Sequence, residues 1–190
     1  MDDDIKLVEL TLKGDRAAFE QLVLRYQNYV FTIAKRVLPS REDAEEAAQD
    51  AFLKVYTTLG SFERKSKFST WLYTVAYRTA IDKARLKRLP IDSIDADGSF
   101  LQLADRTGDG PAGELQRQSL AQQLDQAIKR LKPADATVVT LFYLHETPVK
   151  EIAQITGLSL SNVKTKLHRV RESLKEELSK QLHEEIQDLL

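Results

Sequence analysis

The chain has 190 residues, no cysteine, and 28 Lys+Arg against 29 Asp+Glu, a formal net charge of −1. The length allows one domain or two small ones, and the lack of thiols excludes disulfide scaffolds, thiolate zinc fingers, iron–sulfur ligation and cysteine nucleophiles. The acidic start Met1-Asp2-Asp3-Asp4 is unlike a signal peptide, and no apolar run approaches the roughly 18 residues of a membrane span, so a soluble, cytoplasmic protein is expected.

In chain order, apolar residues at three- and four-residue steps (Phe19, Leu22, Val23, Tyr26, Val30, Ile33, Val37) predict an amphipathic helix that ends at Pro39-Ser40. A second helix is predicted over Ala44–Leu59, with Ala47, Ala51, Val55 and Leu59 four apart and Gly60 as its stop. The third is expected to start at Ser69, whose hydroxyl can cap the first turn, and to run to about Arg88 before Pro90. On that helix Leu72, Val75, Ala76 and Thr79 share one side at about 100° per residue. Arg78, Arg85 and Arg88 fall on the other, beside Thr74 and Tyr77. The preceding loop, Ser61-Phe62-Glu63-Arg64-Lys65-Ser66-Lys67-Phe68, mixes cations with aromatic rings. That mixture suits single-stranded nucleic acid, charge meeting the backbone and rings meeting unpaired bases. The competing explanation places Phe62, Phe68 and Trp71 in a core, which small helical domains need; for Trp71 the core is the preferred reading.

Charge then shifts. Residues 1–88 hold 16 basic and 13 acidic side chains, residues 89–117 hold 2 and 6, and residues 118–190 hold 10 and 10. The acidic stretch also carries Gly98, Gly108, Gly110, Pro90 and Pro111, so the chain is expected to be two domains, 1–88 and 118–190, joined by a flexible acidic linker. Ser93–Gly98 resembles the start of a calcium loop, but its twelfth position is Ala104 where a glutamate is required.

In the second domain a helix is predicted over Leu120–Leu131, and another opens at Pro133 and passes through Val138, Val139, Leu141 and Phe142. Residues 148–171 then have the pattern of a helix-turn-helix. A short helix, 149–155, contains the small Ala153; Gly157 supplies a turn residue tolerant of positive φ; Ser159 or Ser161 can cap a long helix from about Asn162. With Ile152, Leu158, Val163 and Leu167 as anchors, Lys164, Thr165, His168, Arg169 and Arg171 are left facing wholly or partly outward. Residues 160–171 contain four basic side chains and no acid, which suits the DNA major groove, and the amides of Ser161 and Asn162 are candidates for a phosphate. A solvated basic face on an ordinary helix is the bland alternative. The apolar stripe continues through Leu174, Leu178, Leu182, Ile186 and Leu189. The fold class is all-α. No phosphate-binding glycine loop, nucleophile elbow or metal-ligand spacing of histidines occurs, so neither an enzyme nor a metal or cofactor site is expected.

Taken together, several segments resemble the bacterial RNA polymerase sigma factors, specifically the small two-domain extracytoplasmic-function group. They are Gly14–Phe19, Leu22–Tyr26, Asp43–Tyr56, Phe62, Phe68–Ala76, Glu151–Ala153 and Val163–Arg169. The resemblance implies that residues 43–56 dock on the clamp coiled coil of core RNA polymerase, with Asp43, Glu46, Gln49, Asp50 and Phe52 as contacts. It implies a reader of the minus-ten promoter element, which captures a base from the melted non-template strand, in Phe62, Arg64, Lys65, Lys67, Phe68, Tyr77, Arg78, Arg85 and Arg88. It implies a minus-thirty-five reader in Ser161, Asn162, Lys164, Thr165, His168, Arg169 and Arg171. The acidic linker would thread toward the polymerase cleft, and an anti-sigma factor is a further candidate partner. Two positions depart from the family pattern. Arg78 stands where Asn is usual and, unlike Asn, offers no acceptor; the second domain opens on Leu131-Lys132-Pro133, with Ala136 in place of a customary Arg. Two rival classes remain: a stand-alone helix-turn-helix regulator dimerising through its C-terminal leucine stripe, and a helical adaptor that binds only proteins.

Overall fold

A computed structural model describes residues 3–87 and 131–172, and every regular element among them is helical. The first segment forms α1 (Asp3–Leu12), α2 (Arg16–Val37), α3 (Arg41–Thr58), a 3-10 turn (Leu59–Ser61) and α4 (Phe68–Leu86). The second forms α5 (Pro133–Val139), which runs into a π turn at Thr140–Leu144, then α6 (Val149–Thr156) and α7 (residues 160–172). The described residues group into two compact units, 3–87 with 150–157 and 131–149 with 158–172. The expected domain boundaries, the linker, most of the Leu120–Leu131 helix, Arg88 and the leucine stripe beyond residue 172 lie outside the described residues.

In the first unit α2 is the central strut. Ala18, Leu22, Tyr26, Val30, Ile33, Ala34 and Val37 are buried along it, following the three- and four-residue period of the sequence. Gly14 (φ +95°) makes the turn from α1, a left-handed conformation that glycine adopts without strain. Asp15 then caps α2 by accepting from the amides of Ala17 (2.9 Å) and Ala18 (3.2 Å). Asp15→Ala therefore costs about 1 kcal/mol of stability, which chemical denaturation of the full chain will register as a lower midpoint with an unchanged slope.

Helix α3 buries mainly small side chains, Ala44, Ala47, Ala48, Ala51 and Val55, and packs on both α2 and α4. Ala34, Val37, Leu38, Ala44, Ala47, Ala80 and Ala84 form one cluster, closed over by Phe31, Tyr77 and Ile81. Alanine on facing helices lets the backbones approach closely.

Four helix starts or ends differ from expectation, the first being α3, which opens at Arg41 rather than Ala44 because Ser40 caps it. Helix α4 begins at Phe68, with Lys67 preceding it and no side-chain cap, so Ser69 lies inside the first turn. Burial of the Phe68 ring (1 % exposed) draws that residue into the helix and outweighs a serine cap. The α7 helix starts at residue 160, two residues before the expected position, because Ser159 is the capping serine: its Oγ accepts from the Asn162 amide at 3.1 Å. The helix opened by Pro133 keeps α geometry only to Val139 before widening into the π turn.

Candidate nucleic-acid and polymerase interfaces

The loop between the 3-10 turn and α4 rests on an aromatic floor. Phe68 sits 5.8 Å from Tyr26, 5.8 Å from Phe62 and 6.1 Å from Trp71, and Phe62 lies 5.4 Å from Trp71, measured between ring centroids. Tyr26 extends the group to Tyr29 and Tyr73. Phe62 (8 % exposed) and Phe68 (1 %) are core residues in the free chain. Their burial agrees with the competing explanation, in which both rings are core. Trp71 is half-buried.

Above that floor Arg64, Lys65 and Lys67 are exposed. Arg64 has φ +57°, the left-handed region that non-glycine residues seldom occupy. Its guanidinium meets the Glu9 carboxylate of α1 at 2.9 Å, and Lys65 pairs with Glu63. On α4, Leu72, Ala76 and Thr79 are buried and Val75 half-buried, while Arg78 and Arg85 are exposed, as the helical period requires. Tyr77 is half-buried against the alanine cluster, and burial pushes its phenol pKa up, so it stays a neutral hydroxyl.

The α3 candidates divide into two groups. Asp43 pairs with Lys87, just past the end of α4 (2.5 Å), and Glu46 with Lys83 of α4 (2.6 Å). Gln49 and Phe52 instead line a shallow groove of about 590 Å³ with Arg16, Phe19, Val23, Leu53 and Tyr56. Phe19 and Tyr56 pack at 4.9 Å between centroids, joining its α2 and α3 walls. Leu53 (64 % exposed) and Tyr56 (45 %) present apolar surface to solvent. Asp50 is half-buried and is not among the groove-lining residues. Arg16, Phe19, Val23, Leu53 and Tyr56 were not read as site residues from sequence, although a signal existed: Leu53 and Tyr56 are large apolar residues off the buried Ala47–Ala51–Val55 stripe.

In the second segment α6 is followed by a turn at Gly157 (φ +75°) and by α7. Val163, Leu167 and Val170 are buried along α7; Ser161, Lys164, Thr165, His168, Arg169 and Arg171 are exposed and Asn162 half-buried. The four cations of that stretch are not equivalent. Lys166 turns inward to Asp135 at 2.6 Å, with both side chains under 15 % exposed. The Arg171 Nε donates to the Tyr143 hydroxyl at 2.5 Å, and its guanidinium lies 5.6 Å from the Phe142 ring centroid and 5.7 Å from that of Tyr143. Arg171 thus braces α7 against the π turn. The Asn162 amide is taken by Ser159, which removes it as a phosphate donor in this arrangement.

Comparison with known proteins identifies the family. The Sigma-70 region 2 model matches residues 22–89 and the Sigma-70, region 4 model matches residues 121–174. The chain is 32 % identical over 179 residues to the ECF RNA polymerase sigma factor SigW of Bacillus subtilis, covering 91 % of this chain and 95 % of that protein. The chain belongs to the extracytoplasmic-function sigma factors. Such a sigma factor binds core RNA polymerase and directs promoter recognition.

Other relatives of this sigma factor agree. It is 31 % identical over 188 residues to the RNA polymerase sigma-H factor of Pseudomonas aeruginosa (96 % of this chain, 97 % of that protein). It is 34 % identical over 176 residues to the sigma-E factor of Escherichia coli K12 (90 % and 92 %). Its fold is shared with CnrH, solved in complex with the cytosolic domain of CnrY, at a TM-score of 0.64 and 21 % identity over 94 % of this chain and 99 % of that one. It is shared also with the sigma factor RpoE of Bartonella quintana, solved with the anti-sigma factor NepR, at a TM-score of 0.57 and 20 % identity over 85 % and 96 %. No helix among the described residues is long and apolar enough to cross a membrane.

Proposed function

We propose that this sigma factor divides its work among three surfaces. The α2–α3 groove, with Gln49, Phe52, Leu53 and Tyr56, docks on core RNA polymerase. The loop at 61–67, with Arg78 and Arg85 of α4, engages the minus-ten element as its strands separate. The exposed face of α7, through Lys164, Thr165, His168 and Arg169, enters the major groove of the minus-thirty-five element. The observation that carries this division is the exposed apolar groove on the helical core that also bears the loop cations, because one face is suited to protein and the other set to a polyanion. The acidic segment 89–117 joins two domains whose limits fall at 88 and 118, where the charge balance of the sequence shifts.

Each surface binds weakly alone. A chain of net charge −1 lacks the cationic excess that drives tight non-specific binding to DNA. Docking on polymerase fixes both readers on one body, so the second contact forms at high effective concentration. Extruding a base costs a few kcal/mol, and its capture offsets that cost, which ties strand opening to sequence. The protein acts in the cytoplasm and performs no chemistry of its own; phosphodiester formation belongs to polymerase. An anti-sigma protein is a fitting regulator, as in the RpoE–NepR complex.

Lys164 is exposed on the α7 face and touches no other element through a described ion pair. Lys164→Ala should lower run-off transcription from a promoter that needs its upstream element by about fivefold or more, the lower range for one base contact. Transcription with wild-type promoter selectivity from that variant holoenzyme would remove α7 from the upstream element.

A further inference from the structure

Helix α1 has no part in the three surfaces above, yet it is fixed with unusual care. Asp4, buried near its N-terminus, accepts from the Arg25 guanidinium and the Tyr26 hydroxyl of α2. Leu7 and Val8 are buried, and the Thr11 hydroxyl donates back to the Leu7 carbonyl at 2.8 Å. Tyr26 is also the ring on which Phe68 leans. From this anchored helix one side chain reaches the 61–67 loop: Glu9, whose Oε1 lies 2.9 Å from Nη1 of Arg64. Arg64 is the loop residue with the left-handed backbone, where a non-glycine residue is strained unless its surroundings hold it.

We propose that Glu9 is a positioning residue for the minus-ten reading loop, holding Arg64 at positive φ and thereby setting where the neighbouring Lys65 stands. The inference rests on the loop being that reader. Both side chains are partly exposed, at 49 % for Arg64 and 34 % for Glu9, and an ion pair in such a setting contributes little to global stability. Its effect is local. Without the carboxylate, Arg64 relaxes toward negative φ, the chain from Glu63 to Ser66 takes another path, and the geometry offered to an unpaired base changes. Arg64 on this account is a bracket for the loop rather than a base reader.

The test uses holoenzymes reconstituted from core polymerase and the full-length wild-type, Glu9→Gln, Arg64→Gly and doubly substituted chains. Their affinities are measured for single-stranded minus-ten oligonucleotides of the non-template strand carrying each base in turn across the element. Glu9→Gln should reduce the preference for the best base over the next by about threefold to tenfold, a coupling typical of contacting residues, with an unchanged melting temperature and unchanged affinity for core polymerase. In the Arg64→Gly background the same Glu9 substitution should have no further effect, since glycine takes positive φ unaided. An unaltered preference in Glu9→Gln overturns the proposal, as does an equal loss in both backgrounds. Tighter binding by Glu9→Gln overturns it too, because Glu9 would then compete with DNA for Arg64. A Lys65→Ala, Lys67→Ala chain separates the two levels. If it leaves binding and preference intact, the loop is not the reader; if it alters them while Glu9→Gln is silent, only the role of Glu9 falls.

Discussion

Replacing Leu53 by glutamate is expected to abolish holoenzyme formation while leaving the fold intact. Leu53 is 64 % exposed on α3, so the free protein loses almost no apolar burial, and such surface changes usually fall within about 0.5 kcal/mol. In a docked complex the same side chain closes the groove that Phe19, Phe52 and Tyr56 line. Burying a leucine there contributes about 1.5–3 kcal/mol, and an unpaired carboxylate in its place adds a desolvation cost of similar or greater size. The combined effect is a loss of affinity for core polymerase of about a hundredfold or more, the scale of an interface hot spot. Titration of labelled protein with core enzyme measures it, with thermal melting as the control for folding. Affinity within about twofold of wild type and an unchanged melting temperature would move the docking surface elsewhere.

Phe68→Ala is the corresponding prediction for stability. Phe68 is 1 % exposed and is the ring shared by Tyr26, Phe62 and Trp71. Truncating a buried phenylalanine costs about 3–5 kcal/mol. A helical unit of this size has little stability to lose, and each kcal/mol shifts Tm by roughly 4–8 °C, so the first unit should melt more than about 10 °C lower. Phe68→Leu should recover part of the loss, since it refills most of the volume. Strand opening should fail together with stability, because the loop at 61–67 loses its floor. A Tm shift below about 2 °C would show that the aromatic group is not the core of the unit.

The fold was largely legible because helical periodicity is a property of the sequence. Leu22, Tyr26, Val30, Ile33 and Val37 of α2 and the alanine stripe of α3 are buried as their spacing requires, whereas Phe19 and Val23 of the expected stripe are half-buried and line the groove. The helix start at Phe68 was not legible, because capping by Ser69 is a local preference and ring burial is a tertiary one. The same competition explains Phe62 and Phe68. An aromatic residue beside Lys and Arg suits either a base or a core, and only packing decides. Glu46 was legible as a helix-surface acid, but the ion pairs of Asp43 and Glu46 are with Lys87 and Lys83, about forty residues away and beyond any local pattern. On α7 the period separated Lys164 and Arg169 from Val163 and Leu167 correctly. It left open that Lys166 turns in toward Asp135 and that Arg171 spends its guanidinium on Phe142 and Tyr143. The Glu9–Arg64 pair joins residues 55 apart and carried no signal in composition or spacing.

In the proposed division of work, promoter selectivity arises only when core polymerase carries both readers. The direct measurement is footprinting and strand opening on a promoter fragment, chosen by run-off transcription on genomic DNA, with the purified chain alone and then with core enzyme added. The chain alone should bind weakly, with steep salt sensitivity and no preference for the fragment, and the combination should protect both promoter elements and open the downstream one. Tight, selective protection of the intact duplex by the chain alone, unaffected by core enzyme, would contradict the account and favour a self-sufficient helix-turn-helix regulator.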